Sequence, residues 1–197
     1  NEDSLLILPE YRLAAVADGM GGHRSGDVAS RLAVTTLQDF FSIVVGRDGT
    51  WPFPADPNLS DEENYVVTSL RLANRRIFDR SLKTMADFGM GTTIVAAMFS
   101  RDGSRVTVGH VGDSRCYRLR YGHLQQLTHD HSLVEEQLRA GQITPAQAAI
   151  SPMRNIITRA IGSRPSVEPE IQRHHLQPRD LYLLASDGLT HDVTDSE

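Results

Sequence analysis

The chain has 197 residues, 40% hydrophobic and 23% charged, proportions of one ordinary globular domain that exclude wholesale disorder and a collagen-like chain. With 20 basic residues against 25 acidic, the formal charge of −5 argues against nucleic acid as a partner, because nucleic-acid binders carry a basic face or stripe. A single cysteine, Cys116, permits no internal disulfide and fits a cytoplasmic setting, and apolar runs such as 5–9 or 93–99 fall far short of the roughly 20 residues that span a bilayer, so no membrane insertion is expected.

Residues 5–8 and 11–17 are apolar runs separated by Pro9 and Glu10, which predicts two strands joined by a tight turn. From Asp27 the period becomes helical, with Val28, Leu32, Leu37 and Phe41 on one stripe and an end near Gly46. Residues 47–60 carry three prolines and Asp48-Gly49 and read as a surface loop. Ser60 and Glu63 then form a capping box for a second helix, with a core stripe of Val66, Leu70, Ala73 and Ile77. Strands are expected at 92–99, 105–111, 115–120 and 123–127, with Asp102-Gly103 and Tyr121-Gly122 as turns. Residues 131–162 hold short helical pieces at 134–139 and 145–149 and read as an excursion from the core. Strands return at 167–173 and 180–185. Early helices followed by hairpins predict an α+β antiparallel architecture rather than alternating parallel units.

The aspartates carry the chemical signal. Asp18 follows the apolar run 13–17, Asp113 follows 106–111 after one glycine, and Asp187 follows 181–185 after one serine. Three carboxylates are thus expected at the ends of three buried strands, with Gly19 and Gly188 next to two of them allowing close approach of backbone to an ion. The same dipeptides also serve simply as turns, as the polar flanks of Asp48-Gly49 and Asp102-Gly103 indicate for those two. Glu2 and Asp3 add two carboxylates before the first strand. An all-oxygen set of this kind suits magnesium or manganese rather than zinc or copper.

Competing chemistries find little support. His129-Asp130-His131 begins like a zinc-hydrolase signature, but Leu133 and Val134 stand where an aspartate and a second histidine are needed. His174 and His175 on a strand point to opposite faces. There is no Walker loop, Gly19-Met20-Gly21 lacks the third glycine of a dinucleotide fingerprint, and no Gly-x-Ser-x-Gly elbow occurs. Cys116 has Gly122, not arginine, six residues on, so it reads as a core residue and not a phosphatase nucleophile.

Six segments taken in order, 16–23, 91–93, 109–115, 127–132, 158–162 and 185–189, resemble the motifs of the bacterial PP2C-type, metal-dependent protein phosphatases. The resemblance runs along the whole chain. It implies a four-layer αββα sandwich of two antiparallel sheets flanked by helices, with two metal ions at one end and, as in bacterial members, a third. By that resemblance Asp18 bridges two metals, the Gly19 carbonyl and Asp187 bind one each, Glu2 and Asp3 hold metal-bound waters, and Asp113 shares a third, weaker ion with Asp187. Residues 131–162 correspond to the flap beside the active site. The implied activity is hydrolysis of phosphoserine and phosphothreonine on proteins by metal-bound hydroxide, using Mn2+ or Mg2+. The implied partners are phosphorylated proteins and a cognate Ser/Thr kinase, with the phosphatase acting as a cytoplasmic monomer.

The chain also departs from the family pattern. The family has an arginine two positions before the place of Asn1 and an Asp-Asn motif on a strand near the C-terminus, and neither falls within residues 1–197, so the domain is expected to be incomplete at both ends. Met20 stands where animal relatives place a histidine proposed as general acid, leaving His23 as the nearest substitute. The alternative function is a phosphoprotein-binding pseudophosphatase with an incomplete metal site. Asp18, Asp113 and Asp187 together favour the enzyme.

Overall fold

The fold is seen in a computed structural model, which describes residues 1–21, 25–47, 49–83, 85–190 and 193. Two antiparallel sheets face each other. In the first, β1 (Asp3–Leu8) and β2 (Leu13–Met20) form a hairpin around a tight helical turn at Pro9–Tyr11, where the sequence placed it. β3 (Gly91–Thr92) pairs with the end of β2, while β4 (Ile94–Phe99), β5 (Arg105–Val111) and β8 (Glu170–His175) continue the sheet in the order β1-β2-β4-β5-β8. The second sheet is built from β6 (Arg115–Arg120), β7 (His123–Gln126) and β9 (Leu181–Ala185), in the order β7-β6-β9.

Period-two alternation decides which faces pack. Leu6, Leu8, Leu13, Ala15 and Ala17 of the β1–β2 hairpin are buried in one core cluster with helix α1 (Ser25–Asp39) and helix α2 (Asp61–Ser81). Val16 faces the other way, into a second cluster between the sheets that holds Val95, Val106, Val108, Cys116 and Leu184. On β9, Tyr182 and Leu184 face that interior, whereas Leu181 and Leu183 point outward and are exposed.

The capping box is present as expected. The Glu63 N–H donates to Ser60 Oγ at 3.3 Å and the Ser60 N–H donates to Glu63 Oε2 at 2.8 Å. The stripe Val66, Leu70, Ala73 and Ile77 is fully buried, each larger side chain contributing about 1.5–3 kcal/mol.

Some expectations shift. In α1 the fully buried apolar residues are Ala29, Ala33 and Leu37, beside the equally buried Ser30 and Thr36, while Val28 and Leu32 pack only at the margin, because small side chains let the helix axis approach the sheet closely. From Phe40 to Val45 the helix winds more widely, which turns the adjacent Phe40 and Phe41 both inward. By length and composition the stretch Ser25–Val45 is long and apolar enough to cross a membrane, which the short-run criterion missed; its apolar side lies in the core. β8 starts at Glu170 rather than 167, since Pro169 has no N–H for the ladder. The helical pieces of 131–162 form as α3 (Leu133–Arg139) and α4 (Pro145–Ala149), and α5 (Asp187–Thr190) follows β9.

Candidate metal centre

β2 runs two residues past Asp18, so this aspartate sits within the ladder rather than at its end, directly opposite Asp3 of β1. Residues opposed in an antiparallel pair share a face, with their Cβ atoms about 5 Å apart. Asp187 opens α5, two residues after β9, and Asp113 lies in the loop joining β5 to β6. Hydroxyls brace this frame. The Asp18 carbonyl accepts from the Thr93 N–H and from Thr92 Oγ1, both at 2.8 Å, and Thr93 Oγ1 lies 2.6 Å from Ser114 Oγ, beside Asp113. The sequence offered Thr92 and Thr93 only as part of a motif, with no role attached.

Gly19 marks the closest approach of two backbones. A Cβ on Gly19 would overlap the carbonyl group of Gly26 in the first turn of α1, and a Cβ on Gly26 would run into the Glu2 carboxylate. The Gly19 N–H donates to the Glu2 carbonyl at 3.1 Å. Glu2, Asp3, Asp18 and Gly19 are therefore assembled by strand pairing alone.

Electrostatics separates these aspartates from ordinary turn residues. Burial, then the hydrogen bond and charge of Asp187, then Asp3 push the Asp18 carboxyl up to about 8. Burial and the charges of Asp187 and Asp130 push Asp113 up to about 6, against the pull of Arg115. Asp102 behaves oppositely. Hydrogen bonds from Ser100 and Ser104 hold it at about 2, as befits a plain turn. Asp48, the other comparison, lies outside the described residues. Asp3, Asp18 and Asp187 thus lie in one another's field, as do Asp113 and Asp187, and carboxylate oxygens are the donor type that hard divalent cations take.

The remaining candidates are placed as follows. His23 lies outside the described residues. Cys116 is buried and its thiol is pushed up to about 12 by burial, which leaves no thiolate to act as nucleophile. His174 bonds Gln172 while His175 is exposed, consistent with opposite faces. In the 129–131 segment His129 is exposed, Asp130 takes a bidentate contact from Arg115 with its shortest arm at 2.7 Å, and His131 is buried, so the three do not converge. Sequence reading missed one feature, a stacked pair of buried histidines, His110 and His131, with ring centroids 4.5 Å apart beside Glu170. Its members are 60 residues apart at most and no local pattern links them.

The family model for protein phosphatase 2C matches residues 1–197. The chain belongs to the protein phosphatase 2C family. It is thus a metal-dependent protein phosphatase by family, with the α+β architecture of that fold. A serine/threonine phosphatase stp of Listeria monocytogenes serotype 4b is 41% identical over 185 residues, covering 94% of this chain and 69% of that protein. The serine/threonine phosphatase PstP/Ppp of Mycobacterium tuberculosis superposes with a TM-score of 0.81 at 36% identity, covering 100% of this chain and 76% of that one. A structure of the PstP catalytic domain in complex with two manganese ions gives a TM-score of 0.78 at 36% identity, over 100% of this chain and 75% of that one.

Proposed function

We propose that residues 1–197 form one catalytic domain, with a flap at 131–162, that hydrolyses phosphoserine and phosphothreonine on cytoplasmic proteins and so opposes a Ser/Thr kinase. The reading rests above all on Asp18 and Asp113, two carboxyls each raised by burial and then by the charge of the same neighbour, Asp187, a strain that a bound cation would relieve. Two Mn2+ or Mg2+ ions, with a third at an outer position, would be held by Asp18, the Gly19 carbonyl and Asp187, with Asp113 at the outer position and Glu2 and Asp3 hydrogen-bonding the ions' water shell. When bound, such ions lower the pKa of an attacking water and neutralise charge on the phosphoryl oxygens.

The chain's own part is placement. Thr92 and Thr93 fix the Asp18 backbone, and the pairing of β1 with β2 fixes Asp3 against it, so the carboxylates need not reorganise as charge moves in the reaction. No protein nucleophile is required, in keeping with the raised Cys116 thiol. A binding-only role is less well supported, because a docking surface has no need to hold buried carboxylates together. We take the domain to act as a monomer.

The test is hydrolysis of an aryl phosphate and a phosphothreonine peptide after exhaustive chelation and readdition of single cations. Activity should vanish with chelator and return with Mn2+ or Mg2+ but not with Ca2+ alone. Full turnover in excess chelator would overturn the proposal.

A further inference from the structure

His110, His131 and Glu170 offer ligand atoms within 4.8 Å of one another, and a buried histidine pair beside a carboxylate is a pattern that zinc uses. Their hydrogen bonds argue for another role. His131 Nδ1 accepts the Gly112 N–H at 3.1 Å, so the single proton of the neutral ring sits on Nε2, which faces Glu170 Oε2 at 3.5 Å. A neutral imidazole has one lone pair, and here the backbone already uses it. Burial and the neighbouring His110 and Arg159 push the His131 ring down to about 3, so it stays neutral. His110 donates from Nε2 to the His129 carbonyl at 2.7 Å and stacks on His131, pinning the segment that carries both residues 129 and 131.

The residue that His131 grips is Gly112. Besides the ring contact, the His131 N–H donates to the Gly112 carbonyl at 2.9 Å, so both polar groups of one residue are held by a single partner. Gly112 has φ +105, and a Cβ there would meet Thr93 Cβ at 2.6 Å, so the turn depends on a residue with no side chain to anchor it. The next residue is Asp113. We propose that His131 is a positioning residue for the outer cation site, holding the Gly112 turn so that the Asp113 carboxylate is presented in one direction. This rests on the assignment of Asp113 made above. The same residue also closes the flap, since the Thr158 N–H donates to the His131 carbonyl at 2.8 Å.

Supporting partners of a metal-ligating carboxylate are typically worth about 10- to 100-fold in metal affinity. His131→Asn keeps an acceptor oxygen near the position of Nδ1, whereas His131→Leu removes it and His131→Gln carries its amide out toward Nε2. Calorimetric titration of the metal-free proteins with Mn2+, together with phosphopeptide kinetics, should show the weakest binding event loosened about tenfold in His131→Leu and His131→Gln and nearly restored in His131→Asn. The tight binding events and the peptide KM should hold. Asp113→Ala should abolish the weak event, and adding His131→Leu to it should cost nothing more, because the two act in series.

Unchanged weak binding in His131→Gln, or tight binding events or turnover in the double variant poorer than in Asp113→Ala alone, would overturn the proposal, and if the Leu protein fails to fold, the Asn and Gln pair still decides. Should Asp113→Ala itself leave every binding event intact, it is the assignment of Asp113 that fails. Should Asp113→Ala remove the weak event while the histidine variants leave it alone, only the role of His131 fails.

Discussion

Asp18→Asn is expected to lower turnover about a thousand-fold or more, about 4 kcal/mol of transition-state stabilisation, while leaving the apolar core untouched. One residue is asked to serve two cations, and the amide that replaces it keeps the shape but loses the charge. The raised Asp18 carboxyl adds a second, opposite signature. An unfolded carboxyl ionises near 3.8 and this one near 8, so between those values the folded metal-free protein binds more protons than the unfolded chain. Metal-free stability should therefore fall as pH rises through that window and level off above it. Cation uptake within the window should release a proton, and its affinity should climb with pH. The amide in Asp18→Asn cannot ionise, so the substituted protein should show a flatter pH dependence and melt higher than wild type in chelator above pH 8. The measurements are kcat on a phosphothreonine peptide and thermal melts in chelator across that range. Wild-type turnover, or an unaltered pH slope of melting, would contradict the assigned role.

Gly19→Ala should be strongly destabilising for a change of one methyl group. Its Cβ would overlap the carbonyl of Gly26 and lie 2.8 Å from the Gly26 Cα, all of it backbone that cannot step aside without moving α1 off β2. Overpacking of this kind costs about 3 kcal/mol or more, which for a chain of this length lowers the melting temperature by roughly 6–12 °C. The loss should reach the metal centre as well, because Glu2, Asp18 and Gly19 are held by the same strand pairing. Gly26→Ala supplies the contrast. Its new methyl would meet the flexible end of Glu2 and, of the backbone, the Gly19 carbonyl carbon at 2.8 Å rather than an overlapping carbonyl group, so it should be the milder change for stability and should act through Glu2 on cation binding. Melting curves and cation titrations of the two variants check this. Equal stability of Gly19→Ala and wild type, or a greater loss from Gly26→Ala, would show that the approach of β2 to α1 is not as tight as the geometry states.

The sequence by itself determined the elements whose information is local. The hairpin at Pro9, the capping box at Ser60 and Glu63, the stripe of α2 and the strands at Arg105–Val111 and Arg115–Arg120 were legible because pattern, cap and turn chemistry lie within a few residues of each other. The carboxylates were legible too, through polar residues placed against apolar runs. Tertiary structure alone decided which of them meet. Asp3 opposes Asp18 by strand register, Asp187 reaches Asp18 from the other sheet, and Asp102, a similar dipeptide on paper, is left at a surface turn with its carboxyl held low. It also decided that Ala29 and Ala33, rather than Val28 and Leu32, form the inner face of α1, since closeness of packing is a property of two elements and not of one. The grip of His131 on Gly112 belongs to the same class. Hydrogen bonds between residues 19 positions apart leave no periodic trace in a chain, and only the fold that buries both imidazoles fixes which ring nitrogen carries the proton.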